Sequence, residues 1–147
     1  MYKHILIPTD GSETAEKAVQ AGIEFAHEAG AKVTLFTAVP EYVLPSSVEY
    51  LSHTAVSLEE HERLSREKAQ RVLRKPIERA REAGVECDSD YAQSDHPYQA
   101  IIEACKRHGC DAIFMASHAR TGLQALWHGS ETVEVLTHSD VPTVVYR

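Results

Sequence analysis

The sequence is poor in the residues that build specialised chemistry. It has one tryptophan, Trp127, and only three cysteines, Cys87, Cys105 and Cys110. The cysteines are odd in number and form no CxxC, so they read as buried or partly buried free thiols in a reducing compartment. Basic residues are outnumbered: 15 Lys and Arg stand against 22 Asp and Glu, a formal net charge of -7. General nucleic-acid and anionic-membrane binders need a positive footprint, so neither class fits. One small anion pocket still fits, because it needs only a few aimed donors. No apolar run approaches the ~20 residues of a membrane helix. The stretch Met1 to Asp10 is too short in apolar residues for a signal peptide and has no small-residue cleavage site, so a cytoplasmic protein is expected. There is no GxxxxGK[ST] loop, and no GxGxxG follows the first apolar run.

What is present suits one ordinary globular domain. The 147 residues are 43% hydrophobic and 25% charged, enough for a single domain spanning 1–147 with one core. Short apolar runs alternate with helical stripes. Lys3 to Ile7, ended by Pro8, reads as a buried strand, with the turn residues Asp10, Gly11 and Ser12 after it. Either Ser12 or Asp10 can cap the next helix. Its stripe is Ala15, Ala18, Val19, Gly22, Phe25, Ala26 and Ala29, and Gly30 stops it. Val33 to Val39 is a second strand. Residues 40–57 break any clean period and read as a loop with room for one helical turn. A charged helix is expected from Leu58 to about Ala83, buried through Ala69, Val72, Leu73, Ile77 and Ala80. Pro76 should kink or interrupt it.

Val85 to Ala92 is a third, more polar strand, as at a sheet edge. Pro97 opens a helix with an inner face of Ala100, Ile101, Ala104 and Cys105, closed by Gly109. Ala112 to Ala116 is wholly apolar and reads as an interior strand. A polar loop, Ser117 to His128, leads to a short helix from Gly129 to about His138 carrying Val133 and Leu136. Thr143 to Tyr146 is the last strand. Strands alternating with helices predict an α/β fold: a five-stranded parallel sheet, doubly wound and Rossmann-like, with helices on both faces.

Such sheets bind ligands beyond the carboxyl ends of the strands, where the winding reverses. With the first strand central, Pro8 to Ser12 and Ala116 to Ser130 converge there. Gly129-Ser130 at a helix start has two readings. Gly129 makes a turn and Ser130 caps the helix; or the free amides hold a phosphate, helped by the Ser130 and Thr132 hydroxyls and by Arg120. Asp10 is either an Asx turn or an acceptor for a ribose hydroxyl or base amine.

The chain resembles the universal stress protein family over essentially its whole length. The carrying segments are His4-Ile5-Leu6-Ile7-Pro8-Thr9-Asp10-Gly11-Ser12, Asp111 through Leu123, and Gly129 through Pro142. The resemblance implies a cytoplasmic homodimer active in stress tolerance, and many members bind ATP. Their motif is glycine, two residues, glycine, nine residues, then glycine with Ser or Thr. Gly129 and Ser130 match its last pair, while Ala116 and Ala119 replace the first two glycines. Each alanine costs roughly 1–2 kcal/mol where the backbone must turn left-handed, which would weaken binding ~10- to ~100-fold. By family analogy Pro8, Thr9, Asp10 and Ala38 line the adenine and ribose side, with Met115 and Ala116 beneath. The loop residues Ser117, His118, Ala119 and Arg120 complete the site with Gly129, Ser130, Glu131 and Thr132. Glu131 would repel a phosphate if it pointed inward.

The expected ligand is therefore ATP or AMP, with Mg only beside ATP. The alternative is a member that binds no nucleotide and works through its dimer and protein partners. Nine histidines form no i, i+4 pair and no Cys-His ligand set, so no metal site is expected. Nothing assigns a catalytic residue, and any ATP hydrolysis would be slow and incidental. A C-terminal strand at a sheet edge would pair with a second copy.

Overall fold

The computed structural model describes residues 1–41, 54–117 and 129–147. Within them the chain runs β1 (His4–Pro8), α1 (Glu13–Ala29), β2 (Lys32–Val39), α2 (Thr54–Glu82), β3 (Cys87–Gln93), α3 (Pro97–His108), β4 (Ala112–Ala116), α4 (Gly129–His138) and β5 (Thr143–Tyr146). The strands form one sheet in the order β3-β2-β1-β4-β5. Every pair is parallel. This is the expected doubly wound α/β sheet, with β1 central and β3 and β5 at the edges.

Side-chain alternation divides β1 between two cores. Ile5 and Ile7 join Val19, Ile23, Leu35, Leu73, Ala80 and Phe114, the face covered by α1 and α2. Leu6 joins Phe36, Ala38, Ile101, Ala104, Ile113, Met115 and Val135, the face covered by α3 and α4. Parallel strands buried on both faces need continuous apolar runs, which is why β1 and β4 carry them. Helix α1 lies close on the sheet because Gly22 has no side chain: a Cβ there would stand 2.8 Å from Ile7 Cδ1 and 3.0 Å from Phe114 Cδ1.

Several boundaries differ from the sequence reading. Helix α2 opens at Thr54, not Leu58, so residues 54–57 are helical; residues 42–53 lie outside the described residues. Pro76 does not interrupt α2, which runs through it. The proline lies in the buried row of the helix, where packing offsets the missing N–H bond. Val72 and Ile77 are only half-buried, while Ser65 is fully buried. In α1, Ile23 takes the buried place expected of Ala29, which is exposed. Strand β3 begins at Cys87, because Val85 N–H is still donated to the Ala80 carbonyl in the turn that closes α2. Helix α4 buries Thr132 and Val135, whereas Val133 and Leu136 are 58% and 51% exposed.

Candidate functional site

The carboxyl rim of the sheet is built by strands of unequal reach. Pro8, the last residue of β1, pairs with Phe36, so β2 runs on past it through Ala38 to Val39. Beyond Pro8 the chain turns over the strand end. Thr9 N–H donates to the Phe36 carbonyl at 2.8 Å, and Thr9 Oγ1 accepts from Gly11 N–H at 3.2 Å. Asp10 Oδ1 accepts from Ser12 N–H at 2.9 Å, an Asx turn. The cap itself is Ser12, whose hydroxyl accepts from Ala15 N–H at 3.2 Å. Gly11 adopts φ +81, and a side chain there would also meet Val72 of α2.

On the other side of the switch point, Met115 and Ala116 end β4, both buried. Ala116 pairs with Tyr146, and Ser117 N–H donates to the Tyr146 carbonyl. No described residue other than glycine has positive φ, so Ala116 is accommodated in strand geometry. The Thr132 hydroxyl donates to the Ala116 carbonyl at 3.2 Å, buried, and ties the first turn of α4 to the end of β4. Helix α4 opens at Gly129, so Ser130 stands in its first turn rather than before it. Its amino end, whose first N–H groups have no partner within the helix and carry the positive end of its dipole, thus lies beside the end of β4.

Glu131 is the acidic residue of that first turn. Its Oε2 accepts from Tyr98 N–H at 2.8 Å. The carboxylate thereby caps α3, whose own His96 makes no side-chain cap bond, and is engaged by the amino end of that neighbouring helix. Sequence spacing gave no sign of this contact, because 33 residues separate the partners. His118, Ala119 and Arg120 of the expected site, like Trp127, lie outside the described residues. The structure brings together Pro8, Thr9, Asp10 and Ala38 on one side, Met115, Ala116 and Ser117 on the other, and Gly129 to Thr132 above β4.

Comparison with known proteins identifies the lineage. The universal stress protein family model matches residues 1–147. The chain belongs to the universal stress protein family. A solved structure of MJ0577, a universal stress protein of Methanocaldococcus jannaschii, is 26% identical; the match covers 99% of this chain and 95% of that one, with TM-score 0.77. A universal stress protein in complex with cAMP is 19% identical over 99% of this chain and 97% of its own, with TM-score 0.71. One from Archaeoglobus fulgidus in complex with dAMP is 18% identical over 99% and 98%, with TM-score 0.68. The last two matches speak to the fold. The fold of this universal stress protein is therefore the five-stranded Rossmann-like sheet of its relatives.

Other polar clusters lie away from the rim. Asp90 on β3 accepts from Arg107 and His108 at the end of α3. Burial pushes its carboxyl up, but those bonds and the Tyr91 N–H outweigh burial and hold it below the usual carboxylate range. Asp111 accepts from Lys3 N–H at 2.9 Å and His4 N–H at 3.1 Å, tying the start of β4 to β1. Among the described residues no group of three or more His, Cys, Asp or Glu is placed to hold a metal ion. No helix of the described residues is long and apolar enough to cross a membrane.

Proposed function

We propose that this universal stress protein binds an adenine nucleotide, AMP or ATP, across the ends of β1 and β4. The observation that carries the reading is the pairing of Glu131 with Tyr98 N–H. It engages the first-turn carboxylate of α4 with an amide of α3, so that carboxylate is not needed by the α4 amides, which are left to a phosphate. Asp10 and Ala38 supply the ribose and adenine side, and the amides from Gly129 onward take the phosphate. Relatives of the same fold hold cAMP and dAMP, which share the adenylate unit. Magnesium would enter only with the triphosphate. The chain acts as one cytoplasmic binding domain in stress tolerance, without a catalytic apparatus.

A second copy pairs through β5, which is a sheet edge. Val133, Leu136 and the 38% exposed Tyr146 present apolar surface near it. The competing reading, a member working through its dimer and partners alone, draws on Ala116 and Ala119. Calorimetric titration with ATP, AMP and cyclic AMP separates the two. Heat of binding is expected, and Gly129→Asp should cut affinity at least ~10-fold while leaving the thermal midpoint unchanged, since an acidic first turn suits a helix. Ser130→Ala should weaken binding and Ala119→Gly should strengthen it. No heat and no thermal shift at millimolar nucleotide would sink the proposal.

A further inference from the structure

Helices α1, α2 and α3 end in the same turn. Each is followed by a left-handed glycine, Gly30, Gly84 or Gly109. The next residue then donates its N–H back to a carbonyl five residues earlier: Ala31 to Ala26, Val85 to Ala80 and Cys110 to Cys105, each at 2.9 Å. This closure presses together the side chains of the two bonded residues. After α1 and α2 the pairs are aliphatic, and all four residues lie in one core cluster. After α3 the pair is two thiols. The Cys105 thiol donates to the Cys110 carbonyl oxygen at 3.5 Å, and both side chains belong to one core cluster. Both are nearly buried, at 4% and 7% exposure.

We propose that Cys105 and Cys110 form a dithiol oxidation site that a small hydroperoxide converts to an intramolecular disulfide. The Cys105 sulfur attacks the terminal peroxide oxygen. The O–O bond breaks, and the leaving oxygen departs as water or an alcohol with the Cys105 proton. The Cys110 sulfur then attacks the Cys105 sulfenic acid. The S–S bond forms, the S–O bond breaks, and hydroxide leaves as water with the Cys110 proton. The peroxide gains two electrons and the two thiols lose two.

The neighbouring Cys110 side chain holds the Cys105 thiol below its ordinary value, while the same neighbour and burial push Cys110 up. Cys105 is therefore the sulfur that reacts first. Cys87 has no such partner sulfur, and burial with the neighbouring Asp88 pushes it up to about 11. Burial restricts the oxidant to a small molecule, and the exposed Gly109 marks where the turn opens. The site lies at the amino end of β4, opposite the proposed nucleotide rim, so the two proposals fail independently.

The test treats the reduced full chain carrying Cys87→Ser with hydrogen peroxide, then alkylates and digests with trypsin. Cleavage after Lys106 and Arg107 separates the cysteines, so a disulfide appears as two linked peptides that part on reduction with dithiothreitol. Those linked peptides, with an intact mass lower by two hydrogens, are expected. In Cys110→Ser the reaction should stop at a Cys105 sulfenic acid captured by dimedone. The proposal is overturned if both cysteines remain alkylatable, if they pass to sulfinic acid without a cross-link, or if only interchain links form.

Discussion

His4 shows how one residue couples the fold to pH. The residue is 9% exposed, and its Nε2 lies 2.6 Å from Thr34 Oγ1. The Thr34 hydroxyl donates to Asp88 Oδ1, so its oxygen accepts from His4 and the Nε2–H tautomer follows. Burial, with Lys32 adding to it, lowers the His4 pKa below 6.5. The folded chain therefore resists a proton that the unfolded chain accepts. Stability contributed by neutral His4 is present above about pH 6.5 and is lost as pH falls through the lower folded value. The thermal midpoint should decline as the pH falls below about 6.5, and His4→Gln should flatten that slope. An identical slope in the variant would show that other groups carry it. A histidine in a strand, read from sequence alone, gives neither its burial nor its partner, because Thr34 reaches it only through the β1–β2 register.

At the scale of elements, helix ends decide more than helix interiors. Helix α3 starts at Pro97, and its amino end is capped by a residue of another helix, Glu131. Glu131→Ala should lower stability by about 1 kcal/mol. For a chain of this size that is a fall of roughly 2–4 °C in the thermal midpoint, read by differential scanning calorimetry. An unchanged midpoint would mean that water replaces the cap without loss. The closing glycines of α1, α2 and α3 were legible, since each follows a helical stripe at a position where φ turns positive. The inner face of α4 was not. Val133 and Leu136 are its obvious apolar residues, yet the helix is anchored by Thr132 bonding to the Ala116 carbonyl, and this rotation sends them outward. Pro76 does not end the helix for a similar reason: local propensity argues for a break, and the proline is buried within a continuous helix.

For the whole molecule, the open question of partners falls on the β5 edge. Pro142 and Tyr146 carbonyls accept from β4. Backbone groups alternate along a strand, so Thr143 and Val145 turn theirs to the open edge. An unpaired edge of this kind invites a second copy. Val145→Pro removes one outward N–H while sparing the bonds to β4. Sedimentation should then report a species of 16.3 kDa in place of a dimer of twice that mass. A variant that remains dimeric would place the contact on the exposed face of α4 instead.

The sequence by itself determined the order of elements and the face class of each strand, because apolar runs, glycines and prolines act over a few residues. It also determined the family, through three segments in fixed order. Only the tertiary structure decided where Glu131 points, which side chains of α4 are buried, what surrounds His4, and that two thiols meet across a helix end. These depend on contacts set by packing and backbone closure, and no local pattern of residue types encodes where a packed side chain turns.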